Sequence, residues 1–232
     1  MTLRVREIDT FYGTSHILHG VSLEMADREL FAVLGRNGAG KTTLLRSITG
    51  VTPPKAGSIS LDGTEIAKLK SHRRAWLGIS YVPQGREIIP DITVAENIYV
   101  ALLGTGRMAK KVPGFVFEYF PALKALVGQK GGTLSGGQQQ QLAIARALVQ
   151  EPKLLLMDEP TEGLQPSVVE EIEPIIKGIP LERNCAVLLV EQNLEFVRAI
   201  TQKFAILDTG RIVANGNIGE LTSDVVQRHL AV

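Results

Sequence analysis

The stretch Gly35-Arg36-Asn37-Gly38-Ala39-Gly40-Lys41-Thr42 fits the spacing G-x-x-x-x-G-K-[ST]. Its chemistry is the binding of a nucleoside triphosphate. The glycines permit a tight backbone curl that aims N–H groups at phosphate oxygens, with a helix N-terminus behind them. Lys41 supplies a point charge at the β- and γ-phosphates, and Thr42 a hydroxyl for Mg²⁺. A second acid-bearing stretch, Leu154-Leu155-Leu156-Met157-Asp158-Glu159, places two carboxylates at the end of an apolar run. Taken alone, such a pair is equally an ordinary strand-end charge cluster. A third, Leu134-Ser135-Gly136-Gly137-Gln138, reads in isolation as a helix N-cap with two flexible glycines.

These groups need elements to hold them. Leu30 to Leu34 is almost wholly apolar, as a central strand is, and runs straight into the glycine loop; helical spacing continues from Thr42 to Thr49. Strand, glycine loop and helix is the context the phosphate loop requires. Leu154 to Met157 delivers Asp158 to the carboxyl edge of a sheet, where ligands of open α/β sheets lie. Strands at Leu3–Ile8, Val21–Glu24, Ile79–Val82, Ala186–Val190, Phe204–Leu207 and Arg211–Ala214 alternate with helices near Pro166–Lys177 and Asn193–Ile200, which implies a parallel sheet covered by helices. Ile59, Leu61 and Ile66 around Asp62-Gly63 predict a hairpin. Thr93-x-x-Glu96 and Ser135-x-x-Gln138 are capping boxes that open helices to about Leu103 and Val149. A last helix is expected from Ile218 to Leu230. Residues 104–133 mix glycine, lysine and proline with short apolar pieces and define no clear element.

Composition narrows the class. Lys+Arg of 25 against Asp+Glu of 24 leaves no broad basic face for DNA or RNA. Lys68, Lys70, Arg73 and Arg74 read as a solvated face. No stretch approaches the ~18 apolar residues that cross a bilayer, and the charged N-terminus lacks a secretion core. The chain is therefore expected to be cytosolic in character, docking on another polypeptide if it serves a membrane. The single cysteine, Cys185, sits in an apolar run and reads as a small buried hydrophobe.

The three motifs in this order resemble the ATPase subunit of an ABC (ATP-binding cassette) transporter over nearly the whole chain. The resemblance implies an α/β P-loop NTPase with a RecA-like mixed sheet core, an N-terminal antiparallel β subdomain and an inserted α-helical subdomain. Residues 1–84 and 152–232 would form the first two, and 85–151 the helical part with the signature motif. It implies ATP and Mg²⁺ as ligands, with Gly35 to Thr42 and the following Thr43 around the phosphates, and Thr42, Gln84 and Asp158 at the metal. Glu159 would polarise the attacking water. Tyr12 matches the aromatic that stacks on adenine, although core packing also suits it. Gln84, after Tyr81-Val82-Pro83, matches the glutamine that senses the membrane partner, yet a surface glutamine after proline is common. Ser135, Gly136, Gly137 and Gln138 would bind ATP held by a facing subunit, so that only a dimer completes a site.

Two positions depart from the family pattern. Gln165 stands where an aspartate usually reaches across the dimer, and Gln192 where a switch histidine usually stands. Glutamine donates a hydrogen bond to γ-phosphate but cannot become an imidazolium; a strand-end residue without a role is the alternative. These same stretches, Glu162-Gly163-Leu164-Gln165-Pro166 and Val190-Glu191-Gln192-Asn193, look like importers of branched-chain amino acids, urea and short amides. Gly85-Arg86-Glu87-Ile88-Ile89-Pro90 and Gln138 to Gln141 look closest to the urea type, with branched-chain amino acids second. The implied partners are a second ATPase chain (the same or different), transmembrane permease subunits and, indirectly, a solute-binding protein, with no nucleic acid. The implied place is the cytoplasmic face of the membrane. A non-transport ABC ATPase and an ATP-holding binding module are the competing classes.

Overall fold

The computed structural model describes residues 2–106 and 111–230. Its described strands form two sheets. The smaller is antiparallel in the order β2-β1-β4-β5, from β1 (Leu3–Tyr12), β2 (Ser15–Met25), β4 (Ala56–Leu61) and β5 (Thr64–Glu65). The larger runs β10-β9-β3-β8-β7-β6, from β3 (Leu30–Leu34), β6 (Ile79–Val82), β7 (Leu154–Asp158), β8 (Ala186–Glu191), β9 (Lys203–Asp208) and β10 (Arg211–Asn217). Its five strands from β9 to β6 are parallel, and β10 pairs antiparallel with β9 at the edge. The sheet is therefore mixed, where the alternation of elements alone implied a parallel one.

The side chains of the buried strands split by their period of two. Leu30, Ala32, Leu34, Leu155, Met157, Val187 and Leu189 face one apolar core, shared with α3 (Val94–Leu103), α6 (Gly136–Leu148), α7 (Pro166–Glu182) and α8 (Leu194–Ile200). Phe31, Val33, Leu154, Leu156, Leu188 and Val190 face the other, shared with α1 (Lys41–Thr49) and the antiparallel sheet. Both faces are covered, which is why these strands read as unbroken apolar runs. The register sets Leu34 beside Glu191 and Asp158 beside Val190. The carboxyl ends of β3, β7 and β8 thus meet on one edge.

Several expectations change. The charge run 68–74 is not simply a solvated face: it contains α2 (Ser71–Trp76), and Arg74 is fully buried. Its guanidinium donates to the carbonyls of Leu69, Ser47, Ile48 and Ala67 at 2.9, 2.6, 2.9 and 2.7 Å. Two of these are orphan acceptors at the end of α1, so the cation also complements the helix dipole. β1 and β2 extend beyond the predicted strands because bulges near Glu7 and Gly20 break the alternation. α7 continues past Lys177 through Pro180 to Glu182. The last helix is broken: a 3₁₀ turn at Ile218–Glu220 precedes α9 (Ser223–His229), which Thr222 caps. Within 104–133 stand α4 (Gly114–Tyr119) and α5 (Pro121–Ala125); residues 107–110 of that stretch lie outside the described residues.

Candidate functional site: the carboxyl edge of the parallel strands

The phosphate loop joins β3 to α1. Gly40 adopts φ 106°, a conformation suited to glycine, and caps α1 without any side-chain bond to its first N–H groups. Those donors are left for an anion. At Gly35 a Cβ would lie 2.4 Å from the Leu207 carbonyl oxygen, so the loop can pass under β9 only without a side chain. Arg36, Asn37 and Gly38 are exposed at the rim, Ala39 is buried, and Thr43 is buried one residue after Thr42.

Lys41 is the hub. Its Nζ donates to the carbonyls of Gly35 at 2.7 Å and Arg36 at 3.1 Å, and pairs with Glu159 Oε1 at 2.9 Å. Both side chains of this ion pair are more than nine-tenths buried. Glu159 Oε1 also accepts from Gln192 Nε2 at 3.0 Å, and the same amide nitrogen donates to Asn37 Oδ1 at 2.8 Å. Residues 37, 41, 159 and 192, distant in sequence, form one connected cluster. Glu159 itself sits at φ 46°, a sparsely populated conformation for a side-chain-bearing residue, held by its N–H bond to Val190 O at 3.0 Å.

Asp158 lies beside this cluster, accepting from Thr42 Oγ1 at 3.1 Å and from Tyr81 OH at 2.8 Å. Burial raises its pKa above the usual carboxylate value, opposed by the bonds from Tyr81 and Thr42. Burial first, and the Asp158 charge second, push the Tyr81 phenol well above its ordinary range, so it remains a donor. Among the described residues no group of three or more metal-ligating side chains is assembled. The Thr42 hydroxyl and Asp158 carboxylate are hard oxygen donors, and Mg²⁺ characteristically takes one or two such groups with the rest from phosphates and water. The donor set therefore fits Mg²⁺ together with a triphosphate.

The other predicted residues stand apart from the cluster. Tyr12 is 42% exposed at the end of β1. Slight burial raises its pKa, but bonds with Thr52, Arg46 and Thr43 bring it below the ordinary phenol value, so the ring lies beside α1 rather than in the core. Gln84 donates to Glu162 at 2.9 Å, on the loop after Glu159, instead of to the Thr42–Asp158 pair. Ser135 and Gln138 complete their capping box at the start of α6, with Ser135 N–H to Gln138 Oε1 at 2.9 Å and Gln138 N–H to Ser135 Oγ at 3.3 Å. Gly136 lies under the Arg86 guanidinium and Gly137 against Val168.

Sequence reasoning gave no role to Tyr81 or Glu191. The signal for Glu191 was present: a carboxylate closing an otherwise apolar strand. Tyr81 carried no signal, because its contact with Asp158 depends on the pairing of β6 with β7.

A family model described as ABC transporter matches residues 18–162. The high-affinity branched-chain amino acid transport ATP-binding protein BraG of Pseudomonas aeruginosa is 40% identical over 208 residues, covering 89% of each chain. A protein of Archaeoglobus fulgidus named as a probable branched-chain amino acid transport ATP-binding protein, LivF, is 37% identical over 220 residues, 94% of this chain and 93% of the relative. The dimeric post-hydrolysis structure of the ATP-binding cassette MJ0796, bound to ADP and Pi, superposes with a TM-score of 0.83 at 26% identity, covering 93% of this chain and 98% of that one. With the phosphate loop, the paired carboxylates and the signature helix in one fold, the chain belongs to the ABC transporter family as an ATP-binding and ATP-hydrolysing subunit that uses Mg²⁺.

Proposed function

We propose that hydrolysis takes place at the Lys41–Glu159–Gln192 cluster, the observation that carries the reading. The ammonium of Lys41 now bridges loop carbonyls and Glu159; a triphosphate offers it stronger anionic partners and draws it away. Glu159 is then released to accept the proton of an attacking water, and Gln192 and Asn37 lie beside it as neutral hydrogen-bonding groups. Thr42 and Asp158, with Gln84, would hold Mg²⁺, which would neutralise phosphate charge when bound. Tyr12 offers its exposed face to adenine. Ser135, Gly136, Gly137 and Gln138 act on the nucleotide of a facing subunit, and dimers among the cassette's structural relatives support this sharing. The helical segment 85–151 serves as the subdomain that carries them.

The solute is proposed to be a branched-chain amino acid. The similarity to BraG and LivF supports this class, and the urea reading finds no support among the relatives described. No described helix is long and apolar enough to cross a membrane; on this reading the chain couples to transport through permease subunits at the cytoplasmic face, as the naming of BraG and LivF as transport ATP-binding proteins supports. A groove of about 680 Å³ lined by Trp76, Leu77, Leu103, Gly104 and Gln150 suits such a contact; Trp76 and Leu103 are exposed at its rim. The test is the ATPase rate of the assembled transporter with its solute-binding protein. Stimulation by leucine, isoleucine or valine and not by urea supports the reading; stimulation by urea alone refutes it.

A further inference from the structure

Glu191 closes β8 after five apolar residues and is only 3% exposed. A buried carboxylate must have its charge met by donors. Among the described residues it forms no ion pair, and four N–H and O–H groups meet it instead. One oxygen accepts from Thr161 N–H at 2.9 Å and Thr161 Oγ1 at 2.7 Å. The other accepts from the backbone N–H of Gln192 at 2.9 Å and of Asn193 at 3.2 Å.

These donors belong to two different loops. Thr161 lies two residues after Glu159, and Gln192 carries the amide that touches Glu159 and Asn37. Glu159 is in a left-handed conformation that only its surroundings can maintain. Glu191 fastens both loops at one point beneath it. A carboxylate alone suits this post, because it accepts on both oxygens and donates on neither. A carboxamide satisfies one pair of donors and turns its NH₂ toward the other.

We propose that Glu191 is a positioning residue for ATP hydrolysis, holding the Thr161 loop and the Gln192 backbone so that Glu159 and Gln192 keep their mutual placement. This rests on the proposed role of Gln192 as a neutral hydrogen-bonding group beside Glu159 at the site of hydrolysis. Glu191→Gln is nearly isosteric, and misplacement of reacting groups by about 1 Å costs ~10²-fold. Turnover by the purified full chain is expected to fall about 10- to 100-fold with nucleotide Kd nearly unchanged. Amide exchange at Thr161, Gln192 and Asn193 should accelerate while the rest of the sheet stays protected. Because Glu191 acts partly through Gln192, its substitution in a Gln192→Ala background should cost several-fold less than in the wild type.

Wild-type turnover in Glu191→Gln, with Gln192→Ala impaired, overturns the positioning role alone. Equal fold-losses in the two backgrounds also overturn it, as does a loss of nucleotide affinity and thermal stability with turnover intact. A silent Gln192→Ala refutes the role of Gln192 beside Glu159 first, and this proposal with it. Should Glu191→Gln fold poorly, Thr161→Val removes one bond to the same carboxylate and should lower turnover to a smaller extent; a Thr161→Val chain with normal turnover and slow exchange at residues 161 and 192 overturns the proposal equally.

Discussion

The carboxyl edge of the parallel strands and the start of α6 both carry family motifs, but they are built differently. At the strand edge, residues up to 155 positions apart meet: Asn37 with Gln192, Lys41 with Glu159, Thr42 with Asp158. At the start of α6, the side chains of Ser135 and Gln138 each accept from the other's backbone N–H, three positions apart. A cluster closed by long-range side-chain contacts is assembled by one chain's own fold. A locally satisfied helix start needs no such long-range contact, and on the reading proposed above its groups serve a facing chain.

The sharpest way to break this contrast is Glu159→Gln. Loss of a positioned base costs about 10²–10⁴ in rate, while Lys41 loses its competing carboxylate. Turnover should collapse and ATP affinity should hold or rise, measured by hydrolysis and by binding of a fluorescent nucleotide. Near-normal hydrolysis would remove Glu159 from the mechanism.

The second expectation separates the two regions. Lys41→Ala and Ser135→Arg should each inactivate dimers of this chain, yet mixing the two variants should restore part of the activity. In a mixed dimer both lesions can fall on one shared site and leave the other whole. Mixed samples as inactive as the parents would show that α6 does not serve a facing chain's nucleotide.

A smaller effect is expected at Gln192. Deleting one hydrogen bond worth about 1–1.5 kcal/mol lowers the rate roughly tenfold in Gln192→Ala. Gln192→His should retain activity and gain an acidic limb near ~6.5, the ordinary imidazole value. A pH–rate profile of the two variants against the wild type reads both outcomes.

The smallest effects concern stability. Burial raises the pKa of Asp158, so its favourable contribution is complete below about 3.9 and is lost as pH rises through the folded value. Asp158→Asn should therefore melt at a higher temperature than the wild type at neutral pH in Mg²⁺-free buffer. The advantage should shrink on acidification. Ser135→Ala should do the opposite, losing about 1 kcal/mol with its N-cap. Thermal melts at two pH values distinguish a strand edge that stores unfavourable charge from a helix start that stores none.

Much of this was legible in the sequence where one local rule governs one element. Thr93 and Ser135 are the capping residues their spacing predicts, and β3 and β6 span the predicted residues. Reading failed where tertiary contacts override local pattern. Arg74 resembles its charged neighbours until carbonyls from the end of α1 and from the segment before α2 surround it. Pro180 signals a helix end, yet α7 runs through it, with Ile172, Ile176 and Ile179 buried in the core. α4 and α5 are short and have no side-chain caps, so neither periodicity nor capping announces them. The links from Gln192 to Asn37 and from Tyr81 to Asp158 depend on strand order, which no local stretch encodes.

Cys185 is fully buried, and desolvation pushes its thiol up to about 12. At neutral pH almost none of it is thiolate, the form that reacts with maleimides and iodoacetamides. The chain therefore comes with a chemically silent background. A cysteine introduced on the exposed rim of α6, or beside the groove at Trp76, can carry a fluorophore or spin label without removal of the native thiol, so the approach of a second cassette or a permease can be followed as a change in distance or colour on an otherwise unaltered molecule.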